Sequence, residues 1–139
     1  MPRIRVAGLV ASASALALTL TGCSVVTAFV PHVDTAIYAT AKDLKAAPTA
    51  SFGSPRFLPD DAALIRVDYD TQTGAVILTY GSKAHFAPGT CQQQAPLPKP
   101  AIQDSWWPVD GLPAGGFHCA GGWTAFVMGD QVFAALPGA

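Results

Sequence analysis

The chain has 139 residues, half of them hydrophobic and only 12% charged, with a formal net charge of −1. That balance lacks the basic excess of a nucleic-acid binder, and so apolar a composition excludes solvated disorder as a description of the whole chain. Thirteen glycines and twelve prolines favour turns and short elements over long helices, and all nine acidic residues are aspartate.

Arg3 and Arg5 precede an apolar run over 6–20, which closes on Leu20-Thr21-Gly22-Cys23. A run of about 15 residues can enter a translocon but is short of the ~20 needed for a stable span, and the order of parts is that of a signal peptide. The Leu-x-Gly-Cys ending resembles the lipobox of bacterial lipoprotein precursors. This resemblance implies transfer of diacylglycerol to the Cys23 thiol, cleavage before it, and a chain held by lipid on the extracytoplasmic side of a cell membrane. Residues 1–22 are then a lipoprotein signal peptide, 23–31 a lipidated tether and 32–139 one small extracytoplasmic domain. Loss of Arg3 and Arg5 leaves six basic against nine acidic side chains. No polybasic stretch follows Cys23, so attachment would rest on the acyl chains. Heavy use of Ala, Gly, Pro and Asp, with no Asn or Glu, points to a GC-rich Gram-positive source.

In the exported part, Val33, Ile37, Tyr38, Ala41 and Leu44 fall at helical spacing, with Asp34 placed to open a helix and Lys42 and Lys45 near its end, which predicts one helix over 34–46. Prolines and Gly53 make 47–60 a connector. The stretch 64–70 alternates, Ile65, Val67 and Tyr69 on one face and Arg66, Asp68 and Asp70 on the other. A turn at 71–74 leads to a second strand that turns Val76, Leu78 and Tyr80 inward, completing a hairpin over about 64–81. Six of the twelve prolines lie in 82–113, which reads as a long irregular excursion. A second hairpin spans 122–136. Its Gly129-Asp130 loop sets Met128 opposite Gln131, Val127 opposite Val132, Phe126 opposite Phe133, Ala125 opposite Ala134 and Trp123 opposite Leu136. This hairpin is apolar on both faces, so it needs cover on both: central strands between the helix and the excursion, or a face left open for a partner. The fold class is mainly β, with α+β as the variant: a small antiparallel sheet of two hairpins, one helix and a disulfide-closed excursion.

Cys91 and Cys119 are an even count in an oxidising compartment, so a disulfide is expected between them. A metal site combining both thiolates with His85 and His118 has no Cys-x-x-Cys spacing, and the adjacent His118 and Cys119 would point to opposite faces of a strand. No metal and no other cofactor is expected.

Asp68 and Asp70 could supply the carboxylate pair of a glycosidase, but beside Arg66 and a turn they read as a solvated strand face. Asp60 and Asp61 are expected to cap a short helical turn before the strand. His32, His85 and His118 are scattered, and no nucleophile elbow, zinc-protease motif or P-loop occurs. No catalytic residue is therefore nominated. The aromatic residues are richer: Trp106-Trp107-Pro108 in the excursion, Trp123 after Cys119, and the Phe126/Phe133 pair. Exposed Trp offers contact area at low entropy cost, which makes Trp106, Trp107 and Trp123 the candidate binding residues; the alternative, favoured most for Trp123, is that they pack against the disulfide and the sheet. Two adjacent Trps cannot easily both point inward, so one of the first two is expected at the surface.

The Cys…Trp-Trp-Pro…Cys-x-x-x-Trp arrangement resembles small exported proteins of GC-rich Gram-positive bacteria, a likeness that implies no function. The expectation is a membrane-anchored extracytoplasmic binding or envelope-structural module, partnered with the membrane through Cys23 and with a protein or carbohydrate ligand. The alternatives are a cell-envelope hydrolase and an accessory subunit of a membrane complex.

Overall fold

The first element departs from the expected helix over 34–46. In the computed structural model, which describes residues 32–47 and 52–139, Val33–Thr40 is a strand, β1, and only Ala41–Ala46 is helical, α1. The segment fits helical spacing, but its Val, Thr, Ile and Tyr are equally strand formers, and tertiary pairing decides between the two. β1 lies antiparallel to β2 (Ala63–Asp70), with Ala36 opposite Val67 and Tyr38 opposite Ile65. Asp34, expected to open the helix, sits exposed on β1 opposite Tyr69. The helix starts instead at a capping box: Thr40 Oγ1 accepts from the Asp43 N–H (3.2 Å) and the Asp43 carboxylate accepts from the Thr40 N–H (3.1 Å). The signal peptide, the lipidated Cys23 and the tether expected over 1–31 lie outside the described residues. Among the described residues no helix is long and apolar enough to cross a membrane.

After β2 come β3 (Val76–Gly81), β4 (Cys91–Ala95), β5 (Gly116–Cys119), β6 (Trp123–Met128) and β7 (Gln131–Leu136). They form one seven-stranded antiparallel sheet among the described residues, in the order β1-β2-β3-β7-β6-β5-β4. Both expected hairpins are present. In β6–β7 the four pairs from Met128–Gln131 to Ala125–Ala134 stand as the loop length dictates, and Gly129 carries the positive φ (63°) of a two-residue hairpin loop. The ladder ends at Thr124–Ala135, and Trp123 pairs with Cys119 of β5 rather than standing in a rung with Leu136. A glycine begins β5 because a Cβ at Gly116 would come within 2.5 Å of the Ala125 carbonyl oxygen.

Residues 82–113 are less irregular than expected, since Cys91–Ala95 is a strand. Its Gln-Gln-Gln centre carries no apolar alternation, and pairing with β5 is what orders it. The expected disulfide is present, joining Cys91 and Cys119 as directly opposed residues of the β4–β5 ladder.

Both faces of the sheet are covered. Against one face, Ala41 and Leu44 of α1 and Phe57, Leu58 and Ala62 of the connector pack over Ile65, Val67, Leu78 and Tyr80, all at or below 2% exposure. Here the Phe57 ring lies 5.4 Å from Trp123, and the buried Tyr80 hydroxyl donates to the His85 carbonyl (2.6 Å). Against the other face, Ile102, Trp106 and Trp107 of the excursion pack over Ala75, Ile77 and Ala135. The chain between β4 and β5 is thus the second lid of the sandwich.

The Cys91–Cys119 bridge closes a loop of 28 residues that contains this lid. Chain entropy values such a closure at about 3–4 kcal/mol. A Cys91→Ser/Cys119→Ser variant should unfold at a correspondingly lower urea midpoint with an m-value close to the wild type, as measured by Trp fluorescence.

Candidate functional site

The lid is pinned to the sheet by a buried polar cluster. Its tip is a turn in which the Trp107 N–H donates to the Asp104 carbonyl (3.1 Å), and this turn sends both indoles toward the sheet. Neither of the pair stands fully in solvent, as one was expected to; both lean on the sheet, because strand alternation does not apply within a turn, and Trp107 keeps part of its surface open. Trp106 lies under the Arg66 guanidinium, 5.5 Å from ring centroid to Cζ, and its indole N–H donates to Asp68 Oδ2 (2.9 Å). Trp107 meets Phe126 and Phe133 edge-on, at 5.6 and 5.9 Å, while those two rings stack on each other at 5.2 Å. Both Trps are half-buried.

Asp68 is 1% exposed, which corrects its reading as part of a solvated strand face. That reading assumed a sheet open on one side, and the lid closes it. The second Asp68 oxygen accepts from Thr35 Oγ1 (2.7 Å) across the β1–β2 ladder. Asp104 of the lid brings its own carboxyl against Asp68, accepts from Ser105 Oγ (3.0 Å), and makes a longer contact with Arg66 Nη2 (3.4 Å). Burial holds the Asp68 carboxyl above the usual carboxylate range; the bonds from Thr35 and Trp106 oppose the rise and the neighbouring Asp104 adds to it. Asp104 is held below that range, chiefly by its hydrogen bond with Asp68 and further by Ser105 and Arg66. The two carboxyls thus titrate as one interacting pair whose members are pushed in opposite directions.

Outside this cluster the lid encloses an open groove of about 670 Å³. Its wall is apolar, made of Pro100, Trp107, Pro108, Val109 and Leu112, and Val109 and Leu112 are 78% and 40% exposed. Its polar groups are Lys99, Gln103, Asp104 and Ser105. Asp104 therefore belongs both to the groove and to the buried cluster behind it. Rigid prolines and a braced indole make a surface that loses little freedom when occupied.

The other candidates are dispersed. Trp123 is 3% exposed and packs against Phe57, so it is core and not a binding residue. Asp70 does not pair with Asp68; its Oδ1 accepts from the N–H groups of Gln72 (2.7 Å) and Thr73 (3.0 Å), capping the β2–β3 turn. Asp61 does cap a turn, but the one after β3 rather than its own, accepting from Ser82 Oγ (2.6 Å), Lys83 N–H (3.0 Å) and Ala84 N–H (3.3 Å). Asp60 pairs with Lys45 at the surface. His85 Nε2 lies 3.0 Å from the Gly129 carbonyl, His118 is exposed on β5, and the His32 carbonyl accepts from Thr71. Among the described residues no group of three or more His, Cys or Asp could hold a metal ion.

The residues of the cluster and the groove that the sequence reading did not nominate are Thr35, Arg66, Asp104, Lys99, Gln103, Val109 and Leu112. Asp104 lies two residues before the nominated Trp pair, a signal that could have been read; Thr35 lies far from it in the chain and gave none. No family model matches the chain, and neither the curated proteins nor the solved structures yield a match.

Asp68 itself has a pH signature of known sign, opposite to that of the depressed Asp104 beside it. A carboxyl whose folded pKa is raised contributes stability below its unfolded value and loses it as pH climbs through the folded value. Asp68→Asn, which keeps an acceptor for Trp106 and a donor toward Asp104, should flatten the stability slope of the wild type above pH ~4. Asp68→Ala, which orphans the Trp106 N–H, should cost about 1–3 kcal/mol near neutral pH. Urea midpoints of the three proteins across pH check both statements.

Proposed function

We propose that this chain is a lipid-anchored extracytoplasmic binding module whose recognition surface is the groove of its Pro-rich lid. Two features support the location. The first is the sequence Leu20-Thr21-Gly22-Cys23 behind a basic, then apolar, leader. The second is the Cys91–Cys119 disulfide, which belongs to an oxidising compartment. The observation that carries the binding role is the groove itself. Val109 and Leu112 stand exposed beside a Trp107 that is braced from behind, and no packing need of the sheet explains why they are apolar.

The hydrolase reading finds one accessible carboxylate in the groove, Asp104, because its neighbour Asp68 is closed to solvent and already engaged by Thr35 and Trp106. The groove and the two further cavities, about 580 and 420 Å³, are lined without histidine. Recognition is the better-supported use of such a site.

The wild-type chain expressed in a bacterial host should partition into detergent and carry a mass increased by diacylglycerol at Cys23. Cys23→Ser should stay unprocessed and lack the lipid, and identical partitioning and processed size for the two would refute the anchor. For the groove, crosslinking from native membranes should recover a set of partners that Val109→Asp loses. An unchanged set would remove the groove from recognition.

A further inference from the structure

We propose that the groove beside Trp107 is a subsite for an uncharged oligosaccharide; the inference rests on the groove being the recognition surface. The charge of the site argues first. The charged groups of its lining are a single cation, Lys99, and a single anion, Asp104. That is not the cluster of cations by which a phosphate, a nucleic acid or an anionic lipid surface is drawn in.

The chemistry of the lining argues next. A sugar ring has an apolar C–H face and an edge of hydroxyls, each able both to donate and to accept. The groove matches this with an apolar wall, the braced indole of Trp107 flanked by Pro100 and Pro108, and a mixed rim. Exposed Lys99 brings ammonium donors, exposed Gln103 brings an amide donor and acceptor, and Ser105 and Asp104 keep oxygen lone pairs beyond the bonds they already make. An indole held in T-shaped contact with Phe126 and Phe133 and lining the groove is fixed in place before any ligand arrives. The volume, about 670 Å³, lies within the ~300–1,000 Å³ usual for small-ligand sites.

A peptide is less well served. Capture by strand addition needs a free strand edge, and the wall over 99–112 contains no strand and includes two prolines without an N–H. Docking of a polyproline helix uses a row of aromatic residues, whereas this wall offers Trp107 alone.

The test is an NMR titration of the full-length chain in detergent with its Trp indole nitrogens labelled. The probes are tri-N-acetylchitotriose, maltotriose and a synthetic Pro-rich hexapeptide. One of the saccharides should move the Trp107 signal saturably while that of the core residue Trp123 stays still. Gln103→Ala, an exposed change that leaves packing untouched, should weaken that affinity roughly 3- to 10-fold, the effect of one hydrogen bond. The proposal is overturned if neither saccharide shifts Trp107 at about 10 mM, far above an ordinary weak dissociation constant, or if the peptide alone does. Should saccharides fail while Val109→Asp still abolishes crosslinked partners, the ligand class falls and the groove stands as a recognition surface. Should the saccharides fail and Val109→Asp also leave the crosslinked partners unchanged, both fall.

Discussion

The pairing of β3 with β7 is the contact on which the rest of this fold depends. Each hairpin is local and would form between neighbours in the chain, but β3 and β7 lie some fifty residues apart and meet through the rungs Val76–Leu136, Leu78–Ala134 and Tyr80–Val132. This junction converts two separate meanders, β1-β2-β3 and β4-β5-β6-β7, into one sheet with both central strands apolar on both sides. Hydrophobic burial then demands two covers. The short helix and the connector supply one, and the chain between β4 and β5 has to supply the other.

That demand explains the polar cluster under the lid. A segment rich in proline cannot attach to a sheet through a hydrogen-bonded ladder, so side chains have to hold it: Trp107 in the aromatic box with Phe126 and Phe133, and Trp106 through its N–H on Asp68. Burying a carboxyl is costly unless it is bonded and its charge is compensated. Asp68 meets this requirement with two donors, Thr35 and Trp106. The groove inherits its rigidity from this arrangement, since Asp104 and Trp107 line it on one side and are anchored on the other.

Elements that depend on near neighbours were legible in the sequence. Alternation at Ile65, Val67 and Tyr69 marked β2, and the Gly129-Asp130 loop set the β6–β7 register rung by rung because a two-residue loop leaves one choice. The pairing of Cys91 with Cys119 was expected because they are the two cysteines that follow the leader-like segment. Where two local readings competed, the sequence misled. The spacing of Val33, Ile37 and Ala41 suits a helix as well as the same residues suit a strand, and the free edge of β2 settled the matter by leaving Ile37 71% exposed. Thr40 and Asp43 form the capping box at the actual helix start.

Composition and local pattern alone determined the mainly β class and the two hairpins, because each rests on residues adjacent in the chain or on simple counting. Only tertiary structure decided that Asp68 is buried, that Trp106 and Trp107 both face inward, and that Val109 and Leu112 flank a groove. Those outcomes turn on which side of a central strand is covered and by what, and the covering segment is irregular. With no period of 2 or 3.6 residues, it carries no signal of where its side chains point until a sheet assembled from distant segments gives them a surface to meet.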